Sequence, residues 1–149
     1  MENKPMMVID ATGLIVGRLA TKVAKLALLG NQIAVVNCEH AVFSGSQEVL
    51  ISKWHTRMLR VQPFKGPYIS RMPDRLVKSV IRGMLPHGKW SEKSRGRSAL
   101  SRIKCYLGVP QEFKSHKFEK IEGADASNLK TTRMITVGEL ARLLRGRLM

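Results

Sequence analysis

The sequence MMVIDATGLIVGRLATKVAKLALLGNQIAVVNC, residues 6–38, decides the fold of this chain. Residues 6–10 are a short apolar run that ends in an aspartate, a pattern typical of a buried strand. From Val16 onward apolar residues recur at helical spacing, and Gly30 follows them as a natural helix stop. Residues 32–38 are rich in valine and isoleucine and predict a second strand. Together these segments predict a βαβ unit with parallel strands and a right-handed crossover.

The other helices are marked by residues that favour helix starts. These are Ser44 with Gln47 at capping-box spacing, Pro73 in a first helical turn, and Thr136 with Glu139, which opens a C-terminal helical segment over residues 136–146. Residues 61–73 hold three prolines and a glycine and therefore predict a loop. The alternation of strands and helices predicts the α/β class with a small, mostly parallel sheet. The length of 149 residues predicts a single domain over residues 1–149.

Positive charge is concentrated in the middle of the chain. The formal net charge is +15, from 26 Lys and Arg against 11 Asp and Glu. Residues 49–111 contain fourteen basic side chains and two acidic ones, Asp74 and Glu92, so this segment has a net charge of +12. Repulsion on this scale disfavours an isolated compact state and is relieved by a polyanion. Nucleic acid is the leading partner, and an anionic membrane surface is the alternative.

Three predicted helices each carry a basic stripe opposite their apolar residues. The trios are Arg18, Lys22 and Lys25; Lys53, Arg57 and Arg60; and Arg75, Lys78 and Arg82. Spacings of three, four and seven residues place each trio on one helix face. A single face of this kind is most often a solvated surface. Three of them, with few carboxylates between the charges, favour the binding of phosphates.

The sequence RGMLPHGKWSEKSRGR, residues 82–97, places a basic loop after an apolar helical stripe. Pro86 ends the helical pattern, and we expect a loop over residues 86–97 that becomes ordered on contact with its partner, because it has few apolar residues. Its basic residues are Lys89, Lys93, Arg95 and Arg97. Trp90 either stacks on an unpaired base or anchors the loop to the domain. Gly83, in the preceding helix, admits a close neighbouring backbone, which is either RNA or a tightly packed sheet.

Signatures of an enzyme or a metal site are weak in this sequence. Residues 13–18 follow a strand and open a helix, but they lack the glycine and lysine spacing of nucleotide-binding loops. Cys38 and His40 are close in sequence, but no second pair has zinc-ligand spacing, so we expect no metal and no cofactor. The basic segment is nearly empty of the carboxylates that a metal-dependent nuclease uses. An RNA-modifying or RNA-cleaving enzyme stays as the alternative to a binding protein.

The sequence also indicates the compartment. Cys38 and Cys105 form no C-x-x-C pair and predict buried thiols in a reducing environment. Residues 1–10 contain no apolar region of a signal peptide, and no apolar run reaches the ~18 residues needed to span a bilayer. We therefore expect a soluble, cytoplasmic protein. The apolar helix faces are expected to be committed to a core, and no aromatic-rich interfacial helix is evident, so we expect no membrane among its partners.

Four motifs resemble one known family. They are VIDATGLIVGRLA at 8–20, VVNCEHAVFSG at 35–45, VIRGMLPHG at 80–88 and GRSALSRIKCYLGVP at 96–110. In this order they are similar to the large-subunit ribosomal protein thirteen family, in its archaeal and eukaryotic branch, over roughly residues 7–112.

The resemblance implies a three-layer α/β/α domain that binds large-subunit ribosomal RNA, acts early in subunit assembly and is not an enzyme. It also implies neighbouring large-subunit proteins as partners and no homo-oligomer, with the loop after Leu85 entering RNA while the α/β body stays at the surface of the particle. The candidate RNA-binding residues are Arg18, Lys53, Arg57, Arg60, Lys65, Arg71, Arg82, His87, Lys89, Trp90, Lys93, Arg95, Arg97 and Arg102.

Overall fold

The βαβ unit predicted from the sequence forms the centre of the molecule. The computed structural model of the protein describes residues 6–60, 62, 64–66, 68–86 and 94–146. Strand β1 is Met6–Asp10, helix α1 is Val16–Leu28 and strand β2 is Gln32–Val36. The two strands pair in parallel, with Met6 opposite Gln32 and Asp10 opposite Val36. The prediction of a parallel βαβ unit is therefore confirmed.

Two short strands extend this pair into a sheet. Strand β4 (Ile103–Cys105) pairs in parallel with β2, and β5 (Phe118–Glu119) pairs in parallel with β1, which gives the order β4-β2-β1-β5. A separate antiparallel ladder joins β3 (Val42–Ser44) to β6 (Met134–Thr136). The α/β class with a small, mostly parallel sheet is confirmed.

The described part of the chain contains four further helices, which pack into the large core on one face of the sheet. They are α2 (Gln47–Leu59), α3 (Pro73–Gly83), α4 (Arg95–Ser101) and α5 (Val137–Gly146). Pro73 occupies the first turn of α3, as expected. The Thr136 hydroxyl accepts a hydrogen bond from the backbone N–H of Glu139 over 3.2 Å, so the predicted cap at the start of α5 is present.

Both faces of the sheet are buried, and alternate residues of its strands contribute to opposite faces. Ile9, Ile33 and Val35 belong to the large core that α1, α3, α4 and α5 complete, whereas Val8, Ala34 and Val36 belong to a smaller cluster on the opposite face. In the described residues, that second face is covered by the 3₁₀ turn Gln111–Phe113, whose Phe113 packs on the smaller cluster. Burial of each large aliphatic side chain contributes about 1.5–3 kcal/mol.

Two sequence predictions about local structure were wrong. Ser44 does not cap α2; it pairs with Met134 in the β3–β6 ladder, and α2 begins at Gln47. The predicted loop over residues 86–97 extends too far at its C-terminal end, because Arg95 begins α4; its residues 87–93 lie outside the described part of the chain. The Ser94 hydroxyl accepts a hydrogen bond from the backbone N–H of Arg97 over 3.4 Å and caps this helix.

The two cysteines are free, and they differ in burial. Cys38 is fully buried, whereas Cys105 is half-buried, so the prediction of two buried thiols holds only for Cys38. A hydrogen bond with the Cys105 side chain, together with burial, raises the pKa of the Cys38 thiol. The Cys38 thiol therefore stays protonated and acts as part of the core.

Candidate nucleic-acid interface

Helix α2 buries two apolar side chains and exposes its basic ones. Ile51 and Trp54 are buried, while Lys53, Arg57 and Arg60 are exposed. The guanidinium carbon of Arg57 lies 5.2 Å from the centroid of the Trp54 ring, which is a cation–π contact. This contact restrains Arg57 beside the helix, so part of the ordering cost of binding an anion is already met.

Helix α3 presents a second basic face next to the first. Leu76, Val77 and Ile81 are buried in the core, and the stripe of Arg75, Lys78 and Arg82 lies on the other side of the helix. The apolar residues fix the rotation of α3 about its axis. Its cations are therefore held at a defined position relative to α2.

The two basic faces meet around a cavity of about 700 Å³. Its described lining consists of Arg57, Arg60, Tyr68, Ile69, Ser70, Arg75, Lys78, Ser79, Arg82, Gly83 and Leu100. Five of these residues are Lys or Arg, and none of the described lining residues is Asp or Glu. A concave surface with charges of one sign focuses its electrostatic field and attracts polyanions.

The loop between the two helices supplies one wall of this cavity. Gly66 has a φ of +67°, and its backbone N–H donates to the carbonyl of Gln62 over 3.1 Å, which closes a tight turn. A Cβ at Gly66 would lie 3.3 Å from the ring of Tyr68. Glycine is therefore needed here both for its conformation and for the close approach of the Tyr68 side chain.

Gly83 lies on the wall of the same cavity. Among the residues that the structure describes, no atom lies within 4 Å of a Cβ added at Gly83. Of the two explanations for this glycine, tight packing of the helix on the sheet is thus excluded. Open space remains where a ligand backbone can approach.

Arg18 and Arg102 donate side-chain hydrogen bonds to backbone carbonyls of distant segments. Arg18 donates from Nη1 to the carbonyl of Gly123 over 2.8 Å, and Arg102 donates from Nη1 to the carbonyl of Ala27 over 3.2 Å. The second contact places a cation at the C-terminal turn of α1, where it adds to the hydrogen bond that the buried Ala27 carbonyl accepts from the Gly30 N–H. Both arginines therefore help to hold the fold.

The structure brings together only some of the residues predicted from the sequence. Arg57, Arg60 and Arg82 line the cavity. The candidates that are described but absent from its lining are Arg18, Lys53, Lys65, Arg71, Arg95, Arg97 and Arg102. Arg95 and Arg97 are exposed in the first turn of α4. The candidates His87, Lys89, Trp90 and Lys93 lie outside the described residues.

Three cavity residues with a basic or aromatic side chain were missing from the sequence-based candidate set. Arg75 and Lys78 belonged to a predicted stripe, but the stripe alone did not show that it faces another basic helix. Tyr68 lies in the segment PFKGPYISR, residues 63–71, where aromatic and basic residues alternate with turn residues. That interleaving is typical of nucleic-acid-binding loops and is the signal that identifies Tyr68.

The fold and this surface define a basic α/β protein of the polyanion-binding class. Within the described ranges, no group of three or more His, Cys, Asp or Glu side chains is arranged to hold a metal ion. No helix in the described part of the chain has both the length and the apolar character needed to cross a membrane.

Comparison with known proteins identifies the family. Residues 4–112 match the family described as ribosomal protein L13. The large ribosomal subunit protein uL13 of Methanococcoides burtonii is 41% identical over 140 residues, which cover 93% of this chain and 97% of the relative. The uL13 proteins of Archaeoglobus fulgidus and Methanosarcina barkeri are 43% and 44% identical over 138 residues; each match covers 92% of this chain, with 86% and 96% of the respective relative.

The chain therefore belongs to the ribosomal protein L13 family. The family resemblance read from the four sequence motifs is confirmed, and the matched residues 4–112 agree with the range of 7–112 expected from the motifs. Because members of this family are structural ribosomal proteins and not enzymes, the family assignment also confirms that the chain is not an enzyme.

Proposed function

We propose that the protein is a structural constituent of the large ribosomal subunit in the cytoplasm, where it binds large-subunit ribosomal RNA and acts early in subunit assembly. The observation that carries this proposal is the cavity between α2 and α3, where five cations converge from two helices. The related proteins are named large ribosomal subunit protein uL13, which supports a place in the same particle for this chain.

Phosphate neutralisation supplies most of the proposed binding free energy. A protein that makes ~6–10 phosphate contacts loses about 10³–10⁵ in affinity between 50 and 200 mM salt, because bound counterions are released on binding. Arginine suits this role, since its planar guanidinium donates two parallel hydrogen bonds to phosphate oxygens. The exposed Arg95 and Arg97 of α4 extend the proposed RNA-binding surface beyond the cavity.

The proposed partners follow from the same setting. Ribosomal RNA covers the basic faces of α2 and α3, and the surfaces away from those faces are available to neighbouring large-subunit proteins. The protein acts as a single copy, because RNA provides the opposite charge that relieves its own net charge of +15.

Sedimentation of ribosomal subunits tests this proposal. We expect a tagged copy of the full chain to remain with the large subunit after a wash at high salt and to be absent from the small subunit. Retention after the wash is expected because many contacts are made together inside the assembled particle. A tagged copy that sediments only as free protein, at low as well as high salt, would contradict the proposal.

A further inference from the structure

We infer that the cavity between α2 and α3 holds one unpaired nucleotide of RNA, with its base against Tyr68 and its flanking phosphates against the surrounding arginines. This inference rests on the proposed RNA-binding function and adds a binding mode to it: the site recognises a base and not only phosphates. Four features of the cavity support such a ligand: its size, its apolar residues, the open wall at Gly83 and the position of its cations.

The size of the cavity suits a single nucleotide. A volume of about 700 Å³ is comparable to that of pockets that enclose small organic ligands, about 300–1,000 Å³. A base inside an A-form duplex is stacked and paired, and therefore cannot enter such a pocket. An unpaired base can turn outward, which is how most sequence-specific RNA recognition occurs.

The apolar part of the lining fits the face of a base. Ile69 and Leu100 are partly buried against the core, so they form a firm apolar floor. Tyr68 is 74% exposed. Aromatic residues make up only 5% of the chain, and burying an aromatic ring would stabilise the fold, so its exposure needs an explanation. An exposed aromatic side chain beside cations is typical of a stacking platform for single-stranded nucleic acid.

The open wall at Gly83 supports a ligand on the same side. Gly83 is the last residue of α3, so glycine costs less here than the ~1 kcal/mol, relative to alanine, that it costs in a helix interior. Gly83 has no positive φ, and no described residue lies close to it, so neither its conformation nor its packing against the described part of the chain requires glycine. A side chain at this position would instead reduce the space inside the cavity, which explains why a small residue suits a bound nucleotide.

The cations surround this apolar floor and come from both helices. Arg57 and Arg60 lie on α2, whereas Arg75, Lys78 and Arg82 lie on α3. A nucleotide between the helices therefore has positive charge on two sides. This arrangement suits a backbone that enters over one helix and leaves over the other.

Two RNA probes separate recognition of the base from recognition of phosphates. The first is a fluorescently labelled adenylate decamer, and the second is a decamer of the same ribose-phosphate chain without bases. Both carry the same charge. We expect the full-length protein to bind the adenylate decamer about tenfold more tightly in fluorescence anisotropy, because stacking stabilises each bound base.

Two substitutions test the cavity itself. Tyr68→Ala removes the stacking ring, and Gly83→Leu places a side chain in the open space; each is expected to abolish the difference between the two probes. Tyr68→Phe keeps the ring and should preserve the difference. Phe64→Ala is the matched control for Tyr68, since Phe64 is 96% exposed in the same loop but is not in the described cavity lining.

Gly17→Leu is the matched control for Gly83. Gly17 is also helical, and a Cβ there would likewise meet no atom within 4 Å, but it lies in α1 away from the cavity. Circular dichroism of each variant verifies the fold. Equal affinity of the wild-type protein for both probes would overturn the inference, as would a difference that survives in both Tyr68→Ala and Gly83→Leu.

The result also distinguishes this inference from the proposed function. If the wild-type protein binds both probes equally well and with a steep salt dependence, RNA binding stands and the nucleotide pocket fails. If it binds neither probe and also fails to enter the large subunit, the proposed function fails and the pocket fails with it.

Discussion

Helices α1 and α2 carry basic trios at the same spacing, yet the fold uses the two trios differently. On α1, Arg18 donates to the carbonyl of Gly123 and so connects the helix to a distant loop. On α2, Arg57 and Arg60 face α3 and line a cavity with its cations. The spacing of charges defines a helix face, but the neighbouring element decides whether that face holds the fold together or remains available to a ligand.

The largest effect is expected from removing two charges from each region in turn. Arg60→Ala with Arg75→Ala removes two cations from the cavity, and Lys22→Ala with Lys25→Ala removes two from α1. We expect the cavity pair to lower affinity for a large-subunit RNA fragment by about ten- to hundredfold and the salt slope by about two, because each phosphate contact contributes ~0.7–0.9 to that slope. The α1 pair should lower affinity by less than about threefold. Salt titrations of both double variants provide the measurement. Equal losses of RNA affinity would show that the two helices do not differ in their contribution to binding.

A smaller effect is expected on stability, where the substitution on α1 should cost more than the one on α2, in the reverse order of their effects on RNA binding. Arg18→Ala removes a charged hydrogen-bond donor and should lower the free energy of unfolding by about 1–2 kcal/mol. Arg57→Ala removes an exposed cation–π contact and should lower it by about 0.5–1 kcal/mol, while weakening RNA binding more than Arg18→Ala does. Urea unfolding and RNA affinity, measured on the same two variants, test whether their order in stability is the reverse of their order in RNA binding. A greater loss of stability in Arg57→Ala would show that the assignment of roles is wrong.

The smallest effect concerns Asp10, which ends β1 just before α1. Burial raises the pKa of Asp10, but hydrogen bonds from Asn37 and from the backbone and hydroxyl of Thr12 outweigh it, so the pKa lies below its ordinary value of 3.8. The ionised carboxylate therefore stabilises the fold above about pH 3.8, and this contribution is lost as the pH falls through the lower folded-state pKa.

Asp10→Asn isolates this contribution. It should lower the free energy of unfolding at pH 7 by about 0.5–1 kcal/mol. The gap between wild type and variant should close in urea titrations as the pH falls toward 2. A gap that is constant from pH 7 to pH 2 would show that ionisation of Asp10 does not stabilise the fold.

The central part of the fold could be predicted from the sequence because its signals are local. Residues 6–38 contain two apolar strands and one periodic helix, and each signal lies within a few turns of chain. The assignment at Ser44 failed for the opposite reason. Its partner Met134 is 90 residues away, and nothing in the local sequence shows that these two segments form a ladder.

The candidate site was predictable only in part, for a similar reason. Periodicity identified Arg57, Arg60 and Arg82 as members of basic faces, but it did not show that α2 and α3 line one cavity. Arg18 and Arg102 belonged to equally basic segments, and their partners are carbonyls that carry no sequence signal. The net charge of the chain thus indicated a polyanion, whereas tertiary packing selected the residues that are available to meet it.

The lengths of the strands bear on the behaviour of the protein before it meets RNA. Both outer strands of the sheet are short, with three residues in β4 and two in β5, while the inner strands β1 and β2 have five each. A long exposed edge strand would offer its unpaired backbone groups to a second molecule and promote aggregation. The short edge strands of this sheet leave little room for such pairing, so a newly made chain is protected against self-association before it assembles into a particle.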